Sequence, residues 1–579
     1  MLPRIACVTS VSSLQKPFVN DALCGFSAEK KQTFWFFFLK NRFTRLKFWR
    51  ICGKILKIRI LKYGVRMISP SFFPTEPHMT EKAYLAVDMG ASSGRHVLGR
   101  LNGETLTLEE IYRFENGGTD LGGTLYWDLP ALWKNVQNGL RAAAQLPGVA
   151  ESLRSVGVDT WGVDFAMLDR NDRVLSNPVT YRDHRTDGFP EAAFETVSRS
   201  EIFAHTGLQF MQFNTLYQLI AMREADDPIL TAGQRFLQIP DVFHWLLSGQ
   251  KANEFTNATT TQFFDPQKGD WARELLEKFG IPTHFLGEIS MPGTNLGPLR
   301  PSVQSATGLG PNVNVVLPGT HDTASAVMAV PADYEIGTQP NWAYISLGTW
   351  ALMGIESPKP IVNEKMLELN FTNEGGVGNT WRVLKNITGM WILQECKRIW
   401  NTEGKAWDWD ELTRMSDAAP SLQRFINAEA PEFFAPENMV DEIVNFCRAT
   451  GQSVPETEGE VLKCAVESIA MRFRDVFRMC EEINGQKLET IHIVGGGTKN
   501  RQLCQMTANA TGRQVVTGPV EATAIGNILI QAIADGAVRD IAHAREIVRN
   551  SFPMETFLPQ NTEAWDAAYA RYSECVNRR

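Results

Sequence analysis

No stretch of this 579-residue chain reaches the roughly 18 uninterrupted apolar positions that a membrane span needs. Nor is there an apolar centre with a small-residue cleavage site to mark a signal peptide, so no membrane partner is expected. None of the nine cysteines forms a CxxC pair, which argues against a zinc module or a disulfide scaffold and for a reducing, cytoplasmic compartment. An excess of positive charge is missing as well: the net charge is -8, and nucleic acid is not expected as a partner. A GxxxxGK[ST] phosphate loop and the GxGxxG spacing are both absent, which disfavours Walker-type and dinucleotide-binding folds. Residues 83–557 contain no low-complexity tract and no short-period repeat.

What is present is a chain long enough, at 44% hydrophobic content, for more than one core. Its first 78 residues differ from the rest. They carry fourteen Lys or Arg against Asp21, Glu29 and Glu76, and mix these with aromatic clusters such as Phe34-Trp35-Phe36-Phe37-Phe38, in no helical or alternating period. Met79 is the expected true start, with residues 1–78 either disordered or untranslated; a membrane-surface role for this segment is the alternative. Cys447 and Cys464 are close enough in sequence to bridge, but two isolated buried thiols are expected.

From residue 83 the pattern is that of an α/β protein. A strand at 83–88 and a hairpin at 94–100 and 105–113, turning at Asn102-Gly103, open a sheet. A helix follows over 129–145, then a strand at 155–159 and a second hairpin-like pass around 165–168. Later come helices near 216–224 and 271–279 and a buried strand at 313–317. The same grammar restarts at 343–347 and 350–355, followed by a helix over 460–483, a strand at 490–494 and a helix over 501–510. Two lobes built on one plan are expected. They would divide near 329–337, where Pro331 stops a helix, giving domains at 81–330 and 331–557 and a tail at 558–579.

Four Gly-rich segments each follow a strand-like run: VDMGASSGR from Val87, PGTHDTASA from Pro318, ISLGTWALMG from Ile345 and HIVGGGTKN from His492. Segments so far apart share a ligand only across a cleft. In the first, glycines and the hydroxyls of Ser92 and Ser93 turn donors toward a phosphate, with Arg95 at the rim; taken alone it also reads as an ordinary hairpin turn. Asp88, a carboxylate at a strand end among donors, suits an outer-shell partner of phosphate-bound Mg²⁺. Asp322, at a strand-to-helix junction, is either a helix cap or a carboxylate held over the cleft to accept a proton from a substrate hydroxyl. Gly348-Thr349 repeats the first device on the other lobe, and Gly495-Gly496-Gly497 leaves room for a flat ring or ribose.

Together with VDTWGVDFAMLD, PVTYRDHRT, TNATTTQ, TNEGG and RVLKNITGMWILQ, these motifs resemble those of the FGGY carbohydrate kinases, in that family's order, from about residue 81 to 557. The resemblance implies two actin-like, RNase H-like domains with ATP and sugar in the cleft between them. It implies transfer of phosphate from ATP, with Mg²⁺, to L-rhamnulose, a small-molecule partner; a kinase for another ketose or polyol such as fuculose or xylulose, or a non-catalytic actin-like ATP-binding protein, is the alternative. Carried over by motif, Ala91, Ser92, Ser93, Gly94 and Arg95 would hold the ATP phosphates, Thr349 would add a contact from the second lobe, and Gln394 and Gly496 would meet the nucleotide. Gly162, His321, Asp322, Thr323 and Asn386 would line the sugar site, with Asp322 as proton acceptor. Trp161, Asp164, Arg182, Asp183 and Asn257 stand in substrate-side motifs, where packing or capping accounts for each of them equally well.

Overall fold

The computed structural model describes residues 81–434 and 436–577. The expectations for residues 1–78 lie outside the described residues. Two mixed sheets dominate, and they are built alike. In the first, β1 (Lys82–Met89), β2 (Ser93–Asn102) and β3 (Thr105–Glu115) form an antiparallel meander. β4 (Leu153–Thr160) pairs parallel to β1, and β6 (Asn314–Val316) parallel to β4, with β5 (Asn295–Pro298) antiparallel at the edge.

The second sheet repeats this order. β7 (Trp342–Leu347), β8 (Trp350–Ser357) and β10 (Trp381–Thr388) make the antiparallel part, and β9 (Thr372–Gly375) lies at its edge. β11 (Thr490–Val494) and β12 (Gln514–Thr517) add parallel strands on the other side of β7, and β13 (Thr556–Phe557) closes the sheet. In both sheets the central strand is apolar on both faces, and helices cover both faces.

Helix α1 (Leu129–Gln145) matches its expected bounds. Leu129, Leu132, Val136, Leu140 and Ala143 recur at helical spacing and are buried, while the Asp128 side chain accepts from Ala131 N to cap the start. α2 (Asp322–Met328) follows β6 and stops before Pro331. α3 (Glu458–Asn484) is capped by Thr457 and ended by left-handed Gly485. α4 (Arg501–Thr511), α5 (Ala522–Ala534), α6 (Ile541–Ser551) and α7 (Thr562–Asn577) complete the second half.

α5 is the element that joins the halves. Its Ile525, Ile528 and Leu529 pack in one cluster with Tyr84, Ala86 and Val97 of the first sheet and Trp342 and Tyr344 of the second. On α6, Arg545 donates to Val327 O and Met328 O and pairs with buried Glu356 at 2.9 Å, so the end of α2 is tied to the second sheet.

Phe165–Leu168 does turn back at Asn171-Asp172, with Asp169 N donating to Arg173 O at 2.9 Å and Leu175 N to Met167 O at 3.0 Å, and its longer pairing is antiparallel to Arg235–Gln238, seventy residues on. One sequence expectation needs correction. The stretch set aside as a tail carries α7, whose Trp565, Ala568 and Tyr572 are buried in the second core. Cys447 and Cys464 are free buried thiols with sulfurs 4.0 Å apart.

Candidate active site

A cavity of about 460 Å³ is lined from both sheets. On the first, the turn between β1 and β2 is closed by Gly90 N donating to Ser93 O at 2.9 Å and clamped by Asn116, whose side chain donates to Gly90 O at 2.8 Å. Ala91, Ser92, Ser93, Asp88 and Arg95 line the cavity. Gly94 does not. A Cβ there would lie 2.1 Å from the Phe114 ring, its partner across the β2–β3 ladder, so this glycine is required by packing. Arg95 is not a free cation either. Its Nε and Nη2 both donate to Asp88 Oδ2, at 3.0 and 2.8 Å, and Nη1 meets Glu521 at the start of α5.

On the second sheet, Gly348 N donates to Trp350 O at 2.8 Å, closing the β7–β8 turn beneath Thr349. Thr349 lines the cavity and donates to Gln394 Oε1 at 3.3 Å; Gln394 is exposed and is not part of the lining. The three consecutive glycines divide their work. Gly495 has φ +91, Gly497 is packed against the Leu347 side chain, and Gly496 has open space where a Cβ would stand and lines the cavity.

Asp322, the first residue of α2, lines the cavity between these turns. The peptide that carries it is held from below. Thr320 N and Oγ1 donate to buried Glu254 Oε2 at 3.2 and 2.6 Å, Thr160 N donates to Thr320 O at 2.9 Å, and His321 N donates to Thr256 Oγ1 at 3.2 Å. Burial pushes the Glu254 carboxyl up, and the hydroxyl and amide donors pull it back. Burial likewise pushes the Asp322 carboxyl above the ordinary range; nearby Asp88 adds to this, and His321 and the Thr323 donors oppose it. A carboxylate with a raised proton affinity, facing a cavity, is suited to accept a proton.

On the sugar side of the expectation, Gly162, His321, Thr323 and Asn386 line the same cavity. Asn386 N and Nδ2 both donate to Gln209 Oε1 from the first domain, at 3.0 and 3.1 Å. Trp161 and Arg182 also line it. Asp164 lies beneath, accepting from the Trp127 and Trp161 indoles at 2.7 and 2.9 Å, and burial pushes its carboxyl up to about 6. Asp183 caps the 3₁₀ turn His184–Thr186, and fully buried Asn257 accepts from Gln238 at 2.6 Å, so both are structural.

Sequence reading missed four groups here: Asp159, Glu254, Glu374 and Arg382. Asp159 had a signal, since it ends β4 as Asp88 ends β1, and the two are register partners. It is fully buried and accepts from Asn527 at 2.5 Å, and burial, with Asp88 adding to it, pushes its carboxyl well above the ordinary range. Glu374 and Arg382 stand in the TNEGG and RVLKNITGMWILQ motifs but were not singled out within them, and nothing in the local pattern marked Glu254.

Models of the FGGY family of carbohydrate kinases match residues 83–329 with its N-terminal domain and 343–534 with its C-terminal domain. The chain belongs to this family. It is a carbohydrate kinase with the actin-like, RNase H-like two-domain fold. Among FGGY relatives, the chain is 42% identical over 493 residues to a rhamnulokinase of Bacteroides thetaiotaomicron, covering 85% of this chain and 99% of that protein. It is 40% identical over 480 residues to one of Bacillus subtilis, covering 83% and 96%. Solved FGGY-like structures share the fold: a ligand-bound xylulose kinase from Lactobacillus acidophilus (TM-score 0.70, 16% identity, 86% of this chain and 98% of that one) and a Plasmodium falciparum glycerol kinase with ADP (TM-score 0.68, 14% identity, 86% and 99%). Among the described residues, no helix is long and apolar enough to cross a membrane.

Proposed function

We propose that the chain transfers the γ-phosphoryl group of ATP to L-rhamnulose, forming L-rhamnulose 1-phosphate, with Asp322 accepting the proton of the primary hydroxyl at carbon one. The observation that carries this reading is that Asp322 stands in one cavity with the Ala91–Ser93 turn of one domain and the Thr349 turn of the other. Rhamnulokinases at about 40% identity over more than four fifths of the chain support the choice of sugar.

Phosphates would lie between the two turns, within reach of Ser92, Ser93 and Thr349, and the adenosine would rest against Gly496. Gly94 would act from behind this surface by letting β2 pack on Phe114, and exposed Gln394 by orienting the Thr349 hydroxyl. Among the described residues no group of three or more His, Cys, Asp or Glu is arranged to hold a metal. Mg²⁺ is therefore expected to be held mainly by phosphate oxygens and water, with Asp88 as its carboxylate partner; when bound it neutralises phosphate charge. The rest falls to the chain. Phosphoryl transfer through a loose transition state demands alignment more than covalent help. Asn386 and Thr323 orient the sugar, Asp322 takes the proton, and the walls from both domains keep water from replacing the sugar as acceptor.

The test is ADP release measured over a panel of L-rhamnulose, L-fuculose, D-xylulose and glycerol. A kcat/KM highest for L-rhamnulose by an order of magnitude or more is expected. A higher value for another acceptor reassigns the substrate, and sugar-independent binding of ATP without transfer to any acceptor removes the kinase reading of the site.

A further inference from the structure

Beneath Asp322 lies a buried charged pair that the reaction as described does not use. Glu374 on β9 and Arg382 on β10 are register partners, so their side chains share one face of the second sheet. Arg382 is fully buried, and Glu374 is buried and reaches the cavity wall. Both point at His321, which belongs to the first domain. Arg382 Nη2 lies 3.0 Å from His321 Nδ1, in hydrogen-bond alignment, and 3.1 Å from Glu374 Oε2; its Nε donates to Gly375 O at 2.9 Å. Glu374 Oε2 is 3.3 Å from His321 Nδ1. The other ring nitrogen, Nε2, is 3.5 Å from Asp322 Oδ1.

We propose that Arg382, held in place by Glu374, is a positioning residue for the general base: it keeps His321 in the Nε2–H tautomer, and that proton orients the Asp322 carboxylate. A guanidinium has donors and no acceptor. The ring nitrogen facing it must therefore present a lone pair, which leaves the ring proton on Nε2, toward Asp322. Glu374 supplies the charge that lets a fully buried arginine stay there.

The consequence is at the carboxylate. Thr323 N and Oγ1 donate to Asp322 Oδ1 at 2.6 and 3.1 Å, and His321 Nε2 faces the same oxygen. Two Thr323 donors on Oδ1, with His321 Nε2 3.5 Å from the same oxygen, leave Oδ2 for the sugar hydroxyl. Without Arg382, the Glu374 carboxylate beside Nδ1 draws the imidazole proton to that side. Nε2 then turns a lone pair on Asp322, which repels it out of line. Because the pair comes from the second domain and the base from the first, the base is in register only when the two halves meet. The proposal rests on Asp322 being the proton acceptor.

Two measurements test it. Nitrogen-15 NMR of histidine-labelled protein, with the His321 signals assigned by their loss in His321→Gln, should show the Nε2–H tautomer in the wild type and Nδ1–H in Arg382→Met; Nδ1–H in the wild type, or no change in the variant, overturns the proposal. In kinetics, Arg382→Met should lower kcat about 10- to 100-fold, with KM for ATP and sugar within about threefold. Arg382→Met combined with Asp322→Asn should be no slower than Asp322→Asn alone, since both losses pass through one carboxylate; additive losses overturn the proposal. Should Arg382→Met fold poorly, Arg382→Lys, which keeps a donor and no acceptor, is expected to retain the Nε2–H tautomer and most of the turnover; a shift to Nδ1–H in that variant would overturn the proposal too. Near-normal turnover in Asp322→Asn alone defeats the base assignment instead, and the tautomer measurement still judges Arg382 separately.

Discussion

Asp322 carries the heaviest demand at the scale of single residues. Replacing it with Asn keeps the Thr323 hydrogen bonds within reach and removes the proposed proton acceptor, so kcat should fall about 10³-fold while ATP binding, followed by nucleotide fluorescence or calorimetry, stays near wild type. Because burial raises its proton affinity, the acid limb of the kcat/KM profile should lie above the ordinary carboxylate range. Gly94 offers a separate check. Gly94→Ala puts a methyl into the Phe114 ring, and a loss of about 1 to 3 kcal/mol is expected in chemical denaturation. The motif around Asp88 and Asp322 was legible because strand ends, glycines and hydroxyls occur together in the chain. The pairing of Arg95 with Asp88 and Glu521 was not, since Glu521 is more than four hundred residues away and only packing brings it there.

At the scale of elements, the crossing of α2 and α5 decides where the base stands. Gly526 on α5 meets α2 so closely that a Cβ would lie 1.9 Å from Ser325 O. Gly526→Ala must push the helices apart and carry Asp322 with them, so turnover should drop at least tenfold along with a lower midpoint of thermal unfolding; a variant with wild-type kcat and stability would show that α5 does not brace the site. Long periodic elements such as α1, α3 and β11 were legible almost to the residue, because a buried stripe leaves a clear period. The local turn after the Phe165–Leu168 strand was legible, but its pairing with Arg235–Gln238 was not, because four residues carry no information on which distant strand completes them. α7 was passed over because its amphipathic pattern is weak, although three aromatic and small side chains bury against the second core.

For the molecule as a whole, the domains are held together by an apolar cluster around α5, and buried titratable groups inside each domain make its stability depend on pH with opposite signs. His96, His244 and His492 are pushed down by burial from 6.5 to about 4, about 3 and about 3. Unfolding lets them bind protons, so their contribution is full above pH 6.5 and is lost as the pH falls toward 4 and below. Asp164, raised by burial from 3.8 to about 6, runs the other way: its contribution is full below about pH 4 and is lost as the pH rises through 6. Relative to Asp164→Asn, the wild type should therefore gain about 2 kcal/mol as the pH is lowered from 7 to 4, read from urea unfolding at a series of pH values; a pH-independent difference would show that Asp164 is ionised in the fold. The amino-acid sequence by itself determined the two-lobed α/β plan, the glycine turns and the acid at the strand-helix junction, because hydrophobic period and turn chemistry are local properties of the chain. Tertiary structure alone decided which oxygen of Asp322 is free, which glycines serve packing, and that His321 answers to Arg382 and Glu374, because those outcomes depend on distances between segments that the chain order leaves far apart.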